Sequence, residues 1–255
     1  MLSQAVETLA TDGFCILPGL CADEFVKHVL TVSQERIGTV REALGDRKMG
    51  IGSAAGFEEI VQRSPGRWDL PITPQQFGVD DHDLPWWPVV AAVLGDDAEH
   101  SFSGIVFSDP DTPEQCWHTD SPHVASEHRP AHALNVLVAL HDIPMAMGPT
   151  EFARGSHVLT NHLKNPSLVR DELIYQHAST SPELLVKGND IPVPESCASA
   201  LASGTCVIFD DRILHRGLGN RSGEPRYVGY FSYRSKGYVE NTHFEAVRSV
   251  FDKAS

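Results

Sequence analysis

The sequence predicts a mainly β fold in which a few helices precede a double-sheet or barrel core of antiparallel strands. Two observations support this fold class. Apolar residues recur at helical spacing only in the N-terminal part of the chain, whereas from residue 98 onward short apolar runs alternate with Pro, Gly and Asp. Because no repeat, low-complexity tract or linker divides the 255 residues, we expect a single domain over 1–255.

The individual elements follow from the same patterns. Helices are predicted at 3–10, 22–44 and 86–94, and strands at 14–17, 99–108, 114–118, 132–140, 150–153, 204–209 and 226–234. Helical signals are weaker at 166–174 and 181–186. Residues 45–85 are rich in Gly and Pro and have little periodicity, which is typical of a lid or substrate-binding loop.

The charge of the chain argues against two classes of partner. The sequence carries 34 acidic and 20 basic residues, a net charge of −14. A surface that binds nucleic acid or an anionic membrane needs the opposite sign, so we expect neither partner. An anionic small molecule stays possible, since a pocket can be locally basic within an acidic protein.

The cysteines and the apolar runs indicate a cytoplasmic protein. Five cysteines without a CxxC pair fit neither a zinc finger nor a disulfide framework, and reduced thiols are the simplest interpretation. The N-terminal residues lack the basic start and apolar run of a secretory signal, and no apolar stretch reaches the length of a membrane helix.

A candidate metal site begins with His118 and Asp120, which are two residues apart. On a strand such residues point to the same face, so both side chains can reach one ion. His215 is the best third ligand, because it follows a strand that appears buried in the sequence pattern. Two imidazoles and one carboxylate leave open positions that suit non-haem iron(II). His123 is a competing ligand that we place on the rim of the site.

Arg226 is a candidate anchor for an anionic co-substrate. It opens a predicted strand whose alternation puts Arg226, Val228, Tyr230 and Ser232 on one face. A guanidinium among apolar neighbours needs an anion if it is buried, and it matches a carboxylate in bidentate fashion. The 5-carboxylate of 2-oxoglutarate fits that requirement, and an exposed surface arginine is the alternative.

Other polar residues are candidates for the same pocket. Asn135 interrupts an apolar strand and needs a hydrogen-bond partner, either a neighbouring loop or the co-substrate. Within 45–85, the side chains of Arg63, Arg67 and Trp68 are candidates for binding an acidic, stackable substrate, although a plain surface loop would look the same. Cys116 shares alternation with the first metal ligands, so it lines the pocket or lies in the core.

Several motifs in order resemble the phytanoyl-CoA dioxygenase family of iron(II)- and 2-oxoglutarate-dependent oxygenases. The matching segments are DGFCILPGL at 12–20, WHTD at 117–120, GPTEFARGSH at 148–157, GTCVIFDDRILHRG at 204–217, and Arg226. The resemblance covers most of the chain, about residues 12 to 234.

This resemblance implies a double-stranded β-helix, or cupin-like jelly roll, with N-terminal helices packed outside. It implies that His118, Asp120 and His215 bind iron(II) and that Arg226 holds the 5-carboxylate of 2-oxoglutarate. Dioxygen would be the third reactant, and a small-molecule substrate would be oxidised, most simply hydroxylated, with release of succinate and carbon dioxide.

One position departs from the family pattern. Several members carry a serine two residues after the distal histidine, where it helps to hold the 5-carboxylate, but this chain has Gly217. Thr150 or Tyr230 is then expected to do that work, and Asn135 lies where related enzymes place a further co-substrate contact. Asp120 argues against halogenation, because related halogenases replace this carboxylate with a small residue.

Two other functions remain open at this point. A metal-dependent hydrolase or isomerase of the cupin type would use the same three ligands to activate water. A non-catalytic binding protein on the same fold is the third alternative.

Overall fold

The computed structural model describes residues 1–121, 127–159, 195–239 and 248–252. Within these ranges the helices are α1 (Leu2–Asp12), α2 (Asp23–Leu44), α3 (Pro74–Phe77) and α4 (Trp87–Leu94). The strands are β1 (Phe14–Leu17), β2 (Val61–Ser64), β3 (Arg67–Pro71), β4 (Glu99–Ser108), β5 (Ala133–Ala139), β6 (Thr150–Ala153), β7 (Ser196–Ala198), β8 (Cys206–Asp210), β9 (His215–Gly217) and β10 (Arg226–Arg234).

The strands pair antiparallel in two sheets. The larger sheet has the order β1-β8-β5-β10-β4-β3-β2 and the smaller has the order β7-β6-β9. The sheets face each other through aromatic rings: Phe152 of β6 stacks on Phe14 of β1 with centroids 4.6 Å apart and lies 5.3 Å from Phe209 of β8. The jelly roll expected from the sequence is therefore confirmed.

The helices cover the outer face of the larger sheet. One buried cluster joins the apolar side chains of α2 to those of the central strands; it includes Val26, Val29, Ile37, Val40, Val136, Val138 and Ile208. Helix α1 ends at Gly13, whose left-handed backbone (φ 83°) lets its N–H donate to the Leu9 carbonyl. None of the helices in the described ranges is both long and apolar enough to cross a lipid bilayer.

Two predicted features are wrong, each for a local reason. Residues 61–71, expected to be an irregular loop or lid, form the β2–β3 hairpin that extends the larger sheet beyond β4. Gly66 turns this hairpin at φ 71°, so the Pro-Gly pair marks a tight turn between strands. Residues 114–118, expected to be a strand, contribute only an isolated bridge at His118. The weaker helices at 166–174 and 181–186 lie outside the described residues.

Candidate metal centre

The two candidate histidine ligands are joined by their backbones. His118 N–H donates to His215 O at 3.0 Å, and His215 N–H donates to His118 O at 2.9 Å. The turn that leads from β8 to His215 is fixed by Arg212, which donates to both carboxylate oxygens of Asp210 at 2.8 and 2.6 Å. The bridge therefore brings residues almost a hundred positions apart to the same point.

Each imidazole is oriented by a carbonyl of its own chain segment. His118 Nδ1 lies 2.9 Å from Cys116 O, and His215 Nδ1 lies 3.0 Å from Ile213 O. Because a carbonyl oxygen only accepts, each Nδ1 carries the proton, and each Nε2 keeps its lone pair for a metal ion. The tautomer that coordination requires is thus set by the backbone.

Asp120 is held by a second chain of hydrogen bonds. Its N–H donates to Asp211 O at 2.8 Å. Its Oδ2 accepts from Asn135 Nδ2 at 2.6 Å, and Asn135 Oδ1 in turn accepts from the hydroxyl of Ser232. Asn135 and Ser232 are register partners on β5 and β10. The partner left open for Asn135 by the sequence is therefore the candidate metal carboxylate.

The three side chains together fit a divalent cation. Ligand atoms of His118, Asp120 and His215 all lie within 4.8 Å of one another. Burial lowers the pKa of both histidines to about 4, so both imidazoles are neutral at neutral pH. Burial also raises the pKa of Asp120, and Arg63 and the hydrogen bond from Asn135 offset that effect only in part. Two neutral imidazoles and one carboxylate form the donor set that an iron(II) facial site uses.

These ligands open into a cavity of about 570 Å³ between the sheets. Arg226, Val228, Tyr230 and Ser232 all line it, as the alternation of β10 predicts. Thr150 also lines the cavity and is the register partner of Gly217. The metal ligands and the expected co-substrate residues thus share one space.

Arg226 is buried in the wall of this cavity, only 3% exposed. Its guanidinium donates to Gly148 O and to Ser108 Oγ, the latter at 3.2 Å. Both acceptors are neutral, and Arg226 Nε is buried with no partner among the residues that the structure describes. Burial lowers the pKa of Arg226 to about 10, still well above neutrality. The arginine remains a cation and is well suited to bind an anion.

Tyr230 lies in the cavity wall within a hydrogen-bonded cluster. Its hydroxyl donates to Asp69 Oδ1 at 2.8 Å, and Asp69 Oδ2 accepts from Arg63 Nε and Nη2 at 2.9 and 2.7 Å. The role expected of Tyr230 in place of the missing serine stays a prediction, and its hydroxyl hydrogen is already donated to Asp69. Arg63, Asp69 and Tyr230 form a connected polar wall of the cavity.

The remaining candidates divide by strand alternation. Arg67 lines the cavity, whereas Trp68 points to the opposite face of β3, stacks against Phe107 and donates to Asp109 Oδ2 at 2.7 Å. Trp68 is therefore not a pocket residue. Cys116 is not a pocket residue either: its carbonyl holds His118, and its thiol is not part of the cavity wall. His123 lies outside the described residues.

Sequence reasoning missed two contributors. Asp69 neutralises Arg63, and Gln115 Oε1 accepts from Gly217 N–H and from Arg67 Nη1, each at 2.9 Å. Alternation along a predicted strand at 67–71 would have put Asp69 on the face of Arg67. No pattern in the sequence marks Gln115, since it lies in an irregular segment.

Solved structures share this fold at low sequence identity. They include the non-heme alpha ketoglutarate dependent epimerase SnoN from nogalamycin biosynthesis, 19% identical with TM-score 0.60, over 92% of this chain and 80% of that chain. AviO1 from Streptomyces viridochromogenes is 17% identical with TM-score 0.62, over 94% and 97%. The carbocyclase SnoK from nogalamycin biosynthesis is 18% identical with TM-score 0.57, over 91% and 83%.

The sequence itself carries the decisive similarity. The family model described as phytanoyl-CoA dioxygenase (PhyH) matches residues 9–228, a span that contains the three candidate ligands and Arg226. A match over that much of the chain shows that the protein belongs to the phytanoyl-CoA dioxygenase family.

Proposed function

We propose that this protein is an iron(II)- and 2-oxoglutarate-dependent oxygenase that hydroxylates a C–H bond of a small molecule. One observation carries the proposal: the donor set of His118, Asp120 and His215 opens into the same cavity as the buried cation Arg226. A keto acid with a distal carboxylate fits that cavity, because its 1-carboxylate and keto oxygen can chelate the metal and its distal carboxylate can bind Arg226.

The residues present fit both reactants. Two imidazole Nε2 atoms and the Asp120 carboxylate would hold the metal, and Arg226 would hold the 5-carboxylate. When bound, iron(II) and 2-oxoglutarate supply the activation of dioxygen and the cleavage of the substrate C–H bond, with succinate and carbon dioxide as products. A crystal structure described as SnoN in complex with Fe3+, alpha ketoglutarate and nogalamycin RO has TM-score 0.54 and 17% identity, over 97% of this chain and 94% of that chain.

The chain itself contributes positioning and shielding. Asn135 keeps one oxygen of Asp120 occupied, so the other oxygen is directed towards His215 Nε2, 3.7 Å away. The Nδ1–carbonyl bonds prevent the imidazoles from rotating. Both histidine ligands and Arg226 are buried in the cavity wall, where charge interactions are less screened than in water. No side chain needs to act as an acid or a base.

The substrate side of the cavity supports a partly apolar substrate with hydrogen-bonding groups. Phe57, Phe102 and Tyr233 supply aromatic surface there, and Arg63 is neutralised by Asp69. Apart from Arg67 and Arg226, the described lining residues offer little uncompensated positive charge for the phosphates of an acyl-CoA. A volume of about 570 Å³ is within the usual range for a drug-sized ligand, so a compact natural product fits beside a five-carbon keto acid.

A second outcome of the same C–H cleavage is favoured by the comparisons alone. SnoN is described as an epimerase and SnoK as a carbocyclase, so oxidation without oxygen insertion occurs on this fold. Product analysis separates the outcomes: hydroxylation adds one oxygen atom, ring closure removes two hydrogen atoms, and epimerisation leaves the formula unchanged.

The test is an anaerobic titration of iron(II) and 2-oxoglutarate into the purified protein, followed by exposure to dioxygen with a substrate panel. We expect a metal-to-ligand charge-transfer band and succinate formation that depends on both reactants. The variant Asp120→Ala should lose the band. Zinc-supported turnover without 2-oxoglutarate would instead identify a hydrolase or isomerase, and metal binding without any keto-acid binding would favour a non-catalytic protein.

The reduced state of the cysteines, none of which forms a disulfide, supports a cytosol-like compartment.

A further inference from the structure

Two buried arginines, rather than one, face the expected co-substrate end of the cavity. Arg67 and Arg226 are 2% and 3% exposed, and both line the cavity. Both are register partners of Ser108 on β4, Arg67 from β3 on one side and Arg226 from β10 on the other. Register partners on neighbouring antiparallel strands point to the same face of the sheet, so the two arginine side chains emerge on one face and flank Ser108.

Neither guanidinium is neutralised within the described part of the chain. Arg67 donates to Gln115 Oε1 and Leu218 O, each at 2.9 Å, and to Pro113 O at 3.5 Å, while Arg226 donates to Gly148 O and Ser108 Oγ. All five acceptors are uncharged, and each arginine keeps a buried Nε that has no partner among the described residues. Burial and the neighbouring Arg226 lower the pKa of Arg67. Two adjacent buried cations are costly unless an anion joins them.

Gly217 explains why Arg67 can occupy this place. A Cβ at residue 217 would lie 1.5 Å from Arg67 Nη1 and 2.6 Å from its Cζ. Gly217 does not have a positive φ, so the glycine is required for space rather than for backbone freedom. The guanidinium therefore fills the volume that a side chain at residue 217 would occupy.

We propose that Arg67 is a second co-substrate-binding residue, and that its guanidinium and that of Arg226 grip the same distal carboxylate of the keto acid. The proposal rests on the function proposed above. It replaces the roles first expected of Thr150 and Tyr230. It also makes the site selective for dicarboxylic keto acids, because a monocarboxylic 2-oxo acid would leave both cations unneutralised.

The test compares two keto acids on holoenzyme loaded anaerobically with iron(II). Binding of 2-oxoglutarate and of 2-oxopentanoate, which has the same chain length but no 5-carboxylate, is measured by calorimetry and by the charge-transfer band. We expect Arg67→Met to weaken 2-oxoglutarate about 10- to 100-fold, the usual loss for a hydrogen bond to a charged group. Binding of 2-oxopentanoate should change little. Arg67→Lys keeps the positive charge but loses the bidentate guanidinium, so it should show an intermediate loss of 2-oxoglutarate affinity. This variant replaces Arg67→Met in the test if the methionine variant fails to fold.

Arg216→Gln is the matched control. Arg216 is also largely shielded, but it is paired with Glu151 at 2.7 Å and is not part of the cavity wall. This variant should bind both keto acids as the wild type does. A reciprocal pair gives a second readout: Gly217→Ser alone should abolish tight 2-oxoglutarate binding through the clash with Arg67, and Arg67→Ala in the same chain should restore part of it.

The outcomes separate the two proposals. If the wild type binds 2-oxoglutarate and Arg67→Met binds it equally well, the role of Arg67 is overturned while the proposed function stands. Equal losses for both keto acids would show a merely structural arginine and would also overturn the inference. If the wild type binds neither keto acid, the proposed function fails and the role of Arg67 fails with it.

Discussion

Replacing Asn135 with leucine tests how the candidate metal centre is built. Leucine has a similar volume but cannot donate to Asp120 Oδ2, which Asn135 Nδ2 contacts at 2.6 Å. A hydrogen bond to a charged acceptor contributes about 1.5–3 kcal/mol, and the loss of a partner that orients a metal ligand usually costs 10- to 100-fold in metal affinity. The two estimates agree, so we expect Asn135→Leu to weaken metal binding about 10- to 100-fold.

The assay is anaerobic titration with cobalt(II), whose visible spectrum reports the coordination sphere, without keto acid. Ser232→Ala should give a smaller loss, because it removes only the group that holds Asn135 Oδ1. Ser103→Ala is the control: its hydroxyl donates to Ile72 O at 2.7 Å within the core and is not part of the cavity wall. Unchanged cobalt affinity in a folded Asn135→Leu variant, judged by circular dichroism, would refute the reasoning.

Burial and backbone geometry lead to four more expected outcomes. The pKa of His118 and His215 is about 4 in the folded chain and about 6.5 when unfolded, so the unfolded chain binds more protons between these values. The metal-free protein should therefore lose about 3 kcal/mol per imidazole as the pH falls through that window, and urea unfolding of His118→Gln/His215→Gln should show a flatter pH dependence. Gly148→Ala, at φ 69° with a Cβ only 2.4 Å from Leu218 O, should lower the free energy of unfolding by at least about 1–2 kcal/mol. Gly38→Ala, within α2 and with open space around it, should raise the free energy of unfolding by about 0.5–1 kcal/mol. Changes in Tm that have the same sign for the two glycine variants would contradict these predictions. A thiol reagent should modify the native protein only at the two partly exposed cysteines, so reaction of the buried thiols without denaturant would be unexpected. The buried thiols are Cys15, Cys21 and Cys206.

The sequence was sufficient where periodicity and chemistry reinforce each other. The run at 226–234 is rich in aromatic and β-branched residues, so the strand could be predicted, and the two-residue repeat of a strand then gave the face that Arg226 shares with Val228, Tyr230 and Ser232. The candidate metal ligands could be predicted because three residues in order, His118, Asp120 and His215, fit one coordination chemistry. Their contact through a backbone bridge, rather than through a strand at 114–118, could not, since it depends on a pairing almost a hundred residues away.

The errors share a physical cause. Residues 61–71 were interpreted as part of a loop because Pro65 and Gly66 interrupt a short polar run. Pro65 and Gly66 instead form the turn of a hairpin, and the strand that this hairpin pairs with, β4, lies about thirty residues further along the chain. The same hairpin decides that Arg67 faces the cavity and Trp68 faces outwards. The role of Gly217 could not be predicted either, because Arg67, which occupies the space beside this glycine, lies 150 positions earlier in the chain.

The backbone bridge between His118 and His215 has a consequence for the metal-free form of the protein. Both histidines are held by reciprocal main-chain hydrogen bonds and by carbonyls at their Nδ1 atoms, none of which an ion supplies. Chelation would therefore leave both imidazole donors in place, and Asp120 would keep its hydrogen bonds to Asp211 and Asn135, so we expect the metal to bind again without any refolding step. When free iron is scarce, the protein would persist as a folded metal-free form, and it would become active as soon as iron was available again.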